Sequence, residues 1–188
     1  VNVSDVNLQI GAMQWMLGNV SMNTGIKGAG DLIGKMFRGA VTGEAAVKPE
    51  YTGSGIVVLE PTYKHILLIN SNDWGGSLVI EDGMYLASES SLKQKAVPRS
   101  TLSSAALGGE GLFSLGFQGN GVVALESDVP WSELVEIELN NDTLKVDGSL
   151  AIAWSTDLRL TVERAGKSLL GSAASGEGLV NVYKGTGQ

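Results

Sequence analysis

The sequence has no cysteine and a single histidine, His65. The first absence excludes disulfides, thiolate metal sites and a cysteine nucleophile. The second excludes a histidine-based metal set and any relay that places a histidine between nucleophile and acid. No stretch approaches the roughly 18 uninterrupted apolar residues of a membrane-spanning helix, and the longest apolar runs, such as Ile66 to Ile69, are strand-sized. Positive charge is also scarce: Lys+Arg 13 against Asp+Glu 20 leaves a net charge of −7. Such a field repels phosphate backbones, so nucleic acid is not expected as a partner. Lys93, Lys95 and Arg99 form the nearest basic group and, without interleaved aromatics, read as a solvated loop. With only 4 prolines and no Pro- or Ser-rich linker, a chain that is 43% hydrophobic and 18% charged is expected to be compact. The lack of cysteine is compatible with a cytoplasmic location, which is the expectation here.

Glycine, by contrast, is abundant and ordered. Gly43-Glu44 is followed by Gly53-Ser54-Gly55, Gly109-Glu110-Gly111 by Gly119-Asn120-Gly121, and Gly176-Glu177-Gly178 by Gly185-Thr186-Gly187. The first mark recurs after 66 and then 67 positions (43, 109, 176), and the second after 66 each time (53, 119, 185). A period this regular reads as three tandem units, 1–60, 61–127 and 128–188, each too small to stand comfortably alone and each expected to bury apolar surface against its neighbours. Units one and two continue past the second mark into Ile56 to Leu59 and Val122 to Leu125, whereas the sequence stops at Gln188, and it starts at Val1. A chain trimmed at both ends is therefore expected.

Within each unit the signals are those of short strands. Ser77 to Ile80 after Asp73-Trp74-Gly75-Gly76, and Thr143 to Val146 after Asn140-Asn141-Asp142, read as second arms of hairpins. Asp82-Gly83 and Asp147-Gly148 then break the chain, with Ile10-Gly11 in the same place in unit one. Further on, Leu112 to Phe117 and Leu179 to Tyr183 read as strands, and Gly119-Asn120-Gly121 is expected to reverse the chain into Val122 to Leu125. Helix signal is thin. Leu32, Ile33, Met36, Phe37 and Ala40 fall at helical spacing among weakening glycines, enough for a turn or two.

Gly11-Ala12-Met13 with Trp15-Met16, Leu107 to Phe113, Val146-Asp147-Gly148 with Leu150-Ala151, and Gly176 to Leu179 with Gly185-Thr186-Gly187 resemble the altered-inheritance-of-mitochondria-24 family, in which prokaryotic members are common. The resemblance spans most of the chain. It implies an all-β protein of three tandem β-sandwich repeats, double-stranded β-helix-like and similar to the tryptophan RNA-binding attenuation protein fold. The repeats are implied to lie in a pseudo-threefold arrangement with little helix. Mitochondrial members are associated with inner-membrane organisation and respiratory assembly. Prokaryotic members carry no assigned activity or cofactor, so the resemblance brings no set of functional residues. Unit one departs from the pattern with Gly43-Glu44-Ala45 and without the aspartate before Gly11.

The repeated acids Glu44, Glu110 and Glu177 are the sharpest binding candidates, because equivalent carboxylates can converge on a pseudo-threefold axis to hold a cation or polar ligand. A glutamate between glycines can equally bond backbone amides at a tight bend. Asp82 and Asp147 are explained by Asx-turn chemistry, and His65 reads as a partly exposed strand residue. Gly28-Ala29-Gly30-Asp31-Leu32-Ile33 lacks the third glycine of a dinucleotide loop. Trp15 and Trp154 lie in corresponding apolar strands and are expected to pack between units, while Trp74 and Trp131 are the tryptophans expected to make exposed contacts. Met13, Met16 and Met22 form a stripe read as core or as an adaptable face. No catalytic constellation, metal site or cofactor site is recognisable. A non-enzymatic scaffold or protein-interaction module, engaging protein partners or copies of itself, is the leading expectation. A small-ligand binder with a pocket between the repeats is the alternative.

Overall fold

A computed structural model of the chain describes residues 1–28, 48–98, 113–164 and 179–188. These residues form thirteen strands and two 3-10 turns. The strands are β1 Asn2–Leu8, β2 Met13–Asn23, β3 Glu50–Leu59, β4 His65–Asn70, β5 Ser77–Ile80, β6 Tyr85–Glu89, β7 Lys93–Pro98, β8 Phe113–Gln118, β9 Val122–Ser127, β10 Leu139–Asp147, β11 Ala153–Ser155, β12 Arg159–Arg164 and β13 Leu179–Gly187. They assemble into a six-stranded sheet ordered β2-β3-β1-β6-β9-β4, a four-stranded sheet β11-β5-β8-β7 and a three-stranded sheet β10-β13-β12. Every pairing is antiparallel. The all-β reading thus holds. The segment with helical spacing around Leu32 to Ala40 lies outside the described residues.

Strand alternation sets the core. On β9, Val123, Leu125 and Ser127 point inward and their neighbours lie half-buried, the period of two that a strand imposes. Three buried clusters result. The largest packs Leu67, Ile69, Tyr85, Val123 and Leu125 of the six-stranded sheet against Leu78, Ile80, Leu115 and Phe117 of the four-stranded sheet, with the Tyr85 and Phe117 rings stacked 5.8 Å apart. A second joins Val6, Leu8, Tyr51 and Val57 to Leu86 and Ala87. The third gathers Leu139, Trp154, Leu158, Leu160 and Tyr183 around Val79.

The glycine marks do not reverse the chain, contrary to expectation. β8 and β9 flank Gly119-Asn120-Gly121 yet belong to different sheets, so this glycine pair is a corner through which one strand path passes from sheet to sheet. In β3 the equivalent Gly53-Ser54-Gly55 lies inside one continuous strand, and β13 runs through Gly185. Gly53, Gly119 and Gly185 share a left-handed φ, +115°, +120° and +136°. In each, a Cβ would press on a carbonyl oxygen of a crossing strand or turn: Asn19, Ser91 or Asp157. Only glycine combines that φ with that approach. The two hairpins expected from turn chemistry are likewise corners or bulges. β4 pairs with β9 and β5 with β8, with a 3-10 turn at Ser71–Trp74 between them. β10 is one strand, kinked where Asn141 takes φ +52° and the register shifts. Buried Ser71 fixes the first corner: its Oγ accepts from Gly121 N–H at 3.0 Å and lies 2.7 Å from the Gly119 carbonyl.

Within two of the sheets, strands distant in the chain are joined in a recurring way. β6 pairs with β1 through Ala87↔Leu8, Ser88↔Asn7 and Glu89↔Val6. β11 pairs with β5 through Ala153↔Ile80, Trp154↔Val79 and Ser155↔Leu78. The two registers match: Asn7 lies between Glu50 and Ser88 as Val79 lies between Gly116 and Trp154, and both pairs of neighbours keep the 66-residue spacing of the glycine marks (50 and 116, 88 and 154).

Candidate functional site

The second of these junctions carries the cleft. β11 lies on β5 with Trp154 opposite Val79, and the indole, only 4% exposed, meets the Tyr183 ring edge-on at 5.3 Å. Beside it a shallow cleft of about 110 Å³ opens between β7, β11 and β12, floored by Val79, Val97, Trp154 and Leu160, with Ser114, Thr156 and Arg159 as its polar groups. A second cleft of about 100 Å³ shares Val97 and Thr156 and reaches Lys95 and Gln118. Gly116 lets β7 close on β8, since a Cβ there would come within 2.7 Å of Val97 Cγ2. Ser77 and Thr156 hydroxyls, 2.7 Å apart, tie the rim of the junction.

The corresponding place in the β1–β6 junction is filled with polar groups instead. Tyr85 Oη donates to the Asn7 carbonyl at 3.1 Å, Gln94 Nε2 donates to Tyr85 Oη at 3.2 Å, and the Ser88 hydroxyl lies 3.1 Å from the same phenol. Lys48 Nζ sits 3.7 Å above the Tyr85 ring. Here the network closes the space; around Trp154 it stays partly open. An apolar floor with two hydroxyls and one guanidinium suits a small apolar or anionic group. The volume falls below the roughly 150 Å³ of an apolar cavity that admits benzene.

The three repeated glutamates, Glu44, Glu110 and Glu177, and Arg99 lie outside the described residues. Among the described residues, no three His, Cys, Asp or Glu side chains gather as a metal site, and no helix is long and apolar enough to cross a membrane. His65 opens β4, the outer strand of the six-stranded sheet, and is exposed. Asp82 and Asp147 border the turns at Gly83 and Gly148, whose φ values are +77° and +52°. Trp131 stands 56% exposed beside a 3-10 turn, whereas Trp74 packs partly buried on the largest cluster. Trp15 corrects the expectation of matched packing: it is 49% exposed on the outer strand β2, while Trp154 is enclosed. The difference lies in packing, because Leu158, Leu160 and Tyr183 of the third cluster enclose Trp154, whereas Trp15 belongs to none of the three buried clusters. Met13 packs partly buried on the second cluster, but Met16 and Met22 face solvent. The cleft-lining Val79, Val97 and Leu160 went unnoticed in the sequence. Each is an ordinary apolar strand residue, and they meet only through long-range contacts: β8 and β11 pair on either side of β5, β7 pairs with β8, and Leu160 of β12 packs with them in the third cluster.

Fold and site together define an all-antiparallel β protein whose three sheets pack on one another through buried apolar clusters. The family model described as "Mitochondrial biogenesis AIM24" matches residues 3–188, and the chain belongs to that family. It is similar to an uncharacterised protein of Streptococcus pyogenes serotype M6, 28% identical over 191 residues that cover 97% of this chain and 74% of the relative. It is also similar to a Streptococcus pyogenes protein solved by X-ray crystallography, with a TM-score of 0.71 at 27% identity, covering 99% of this chain and 83% of the other.

Proposed function

We propose that the protein is a non-enzymatic β scaffold, three tandem repeats packed as one body that works by surface contact with protein partners or with copies of itself. What supports this is the size of the apolar side chains left in solvent, Trp15 and Leu17 on β2 and Ile66 and Leu68 on β4, both outer strands, together with Trp131 at a 3-10 turn. Grouped exposed apolar side chains mark interaction surfaces more often than catalytic ones. An acidic chain without cysteine fits cytoplasmic assembly in a bacterium. Thermal-shift screening of metabolites and metal ions tests the scaffold reading, since a ligand of the native state raises the melting temperature by mass action. A flat response is expected. A metabolite or metal that raises the melting temperature in proportion to the logarithm of its concentration overturns the scaffold.

A second reading, a small-ligand binder, is favoured by the cleft beside Trp154, an apolar floor with convergent Ser114 and Arg159. In that case a ligand quenches or shifts Trp154 fluorescence, and Arg159→Ala abolishes the response.

A further inference from the structure

We propose that the outer edge of β2 receives the outer edge of β10 from a second copy of this chain, so that molecules join head to tail by strand addition. The inference rests on the scaffold reading and names its partner. Both β2 and β10 are terminal strands of their sheets among the described residues. Their counterparts elsewhere in the chain are paired. Met16 faces Val57 on β3 as Ser88 faces Val123 on β9, which makes β2 the counterpart of β6. Lys145 faces Val182 on β13 as Val79 faces Gly116 on β8, which makes β10 the counterpart of β5. Ser88 pairs with Asn7 and Trp154 with Val79 in the two junctions the chain forms internally. Applied to the two remaining edges, the same register sets Met16 against Lys145, Trp15 against Val146 and Leu17 against Leu144.

Side-chain chemistry agrees with that register. Trp15 and Leu17 share one face of β2 and are 49% and 64% exposed. Leu144 and Val146 share one face of β10 and pack, half-buried, on the third cluster. Pairing the strands lays the two exposed residues beside the two half-buried ones and extends that cluster, as Ala87, the counterpart of Trp15, packs opposite Leu8 in the second. Cross-strand apolar pairs of this kind stabilise antiparallel sheets. Donor and acceptor edges differ, so the contact is heterologous and propagates until a ring closes or a filament forms.

The absence of cysteine makes the test direct. Single variants Met16→Cys and Lys145→Cys are purified as full chains and treated, separately and mixed, with a short bismaleimide. The proposal expects a covalent dimer from the mixture and none from either variant alone. The double variant should give a ladder of multiples of 19.6 kDa. Leu17→Lys, at an exposed position that leaves folding intact by circular dichroism, should abolish both products. Three results overturn the proposal. An internally cross-linked monomer from the double variant means that the edges meet within one chain. No cross-link together with an oligomeric mass by light scattering means self-association through another surface, which leaves the scaffold reading standing. No cross-link with a monomeric mass at all concentrations removes self-association and leaves the scaffold to other protein partners.

Discussion

Replacing Trp154 with alanine tests how much of the fold depends on one sheet-to-sheet junction. The side chain is 4% exposed, opposes Val79 across the β11–β5 pairing and meets Tyr183 edge-on. An aromatic of this kind buries roughly 150–250 Å², and at about 25 cal/mol per Å² that burial stabilises by about 4–6 kcal/mol as an upper bound. The edge-on contact adds about 1 kcal/mol, and partial collapse of the site returns some of the loss, so the expected cost is about 3–5 kcal/mol. Trp15→Ala, on an outer strand at 49% exposure, should cost under about 1 kcal/mol in dilute monomer. Urea titration followed by far-UV circular dichroism at low micromolar concentration reads both. Equal losses for the two tryptophans, or a loss below about 1 kcal/mol for Trp154→Ala, would refute the assignment of Trp154 as an enclosed junction residue and Trp15 as an exposed edge residue.

Gly119→Ala places a Cβ at φ +120° and 3.0 Å from the Ser91 carbonyl oxygen, so a loss of about 1–3 kcal/mol is expected in the same assay, and wild-type stability contradicts the corner geometry. Ser71→Ala removes the acceptor of the buried Gly121 N–H; a loss of about 1–3 kcal/mol is expected, and an unchanged melting temperature shows that the hydroxyl does not hold the corner. Burial raises the Tyr51 phenol above its ordinary value of 10.0. A group whose folded pKa is raised contributes fully below the unfolded value and loses that contribution as pH rises through the folded value. Stability should therefore fall above about pH 10, less steeply in Tyr51→Phe, and matching alkaline limbs for the two proteins contradict this.

The periodic glycines were legible because a left-handed φ and a close carbonyl leave glycine no substitute, and Gly53, Gly119 and Gly185 meet both conditions. Their role was not. Turn chemistry around Gly119-Asn120-Gly121 reports local backbone freedom, and says nothing of which strands pair on either side, so a corner between sheets read as a reversal. The same holds at Asn141, whose positive φ kinks β10 without ending it. Strand character was legible at Val122 to Leu125 as a short apolar run after a glycine mark, and the structure adds the alternating burial. Trp15 and Trp154 occupy similar apolar strands, each at the edge of its sheet, and sequence could not tell them apart because burial depends on whether residues distant in the chain, Val79 and Tyr183 for Trp154, pack against the ring. The cleft beside Trp154 and the network around Tyr85 are assembled from contacts equally distant in the chain, such as Tyr85 Oη with the Asn7 carbonyl. No local signal announces them.

Amide hydrogen exchange measured across a range of protein concentrations tests the scaffold account most directly. Protection should rise together at Trp15 to Leu17 on β2 and at Leu144 to Val146 on β10 as concentration increases, with β4 unchanged. Exchange on both strands that stays constant from dilute to concentrated protein would contradict it.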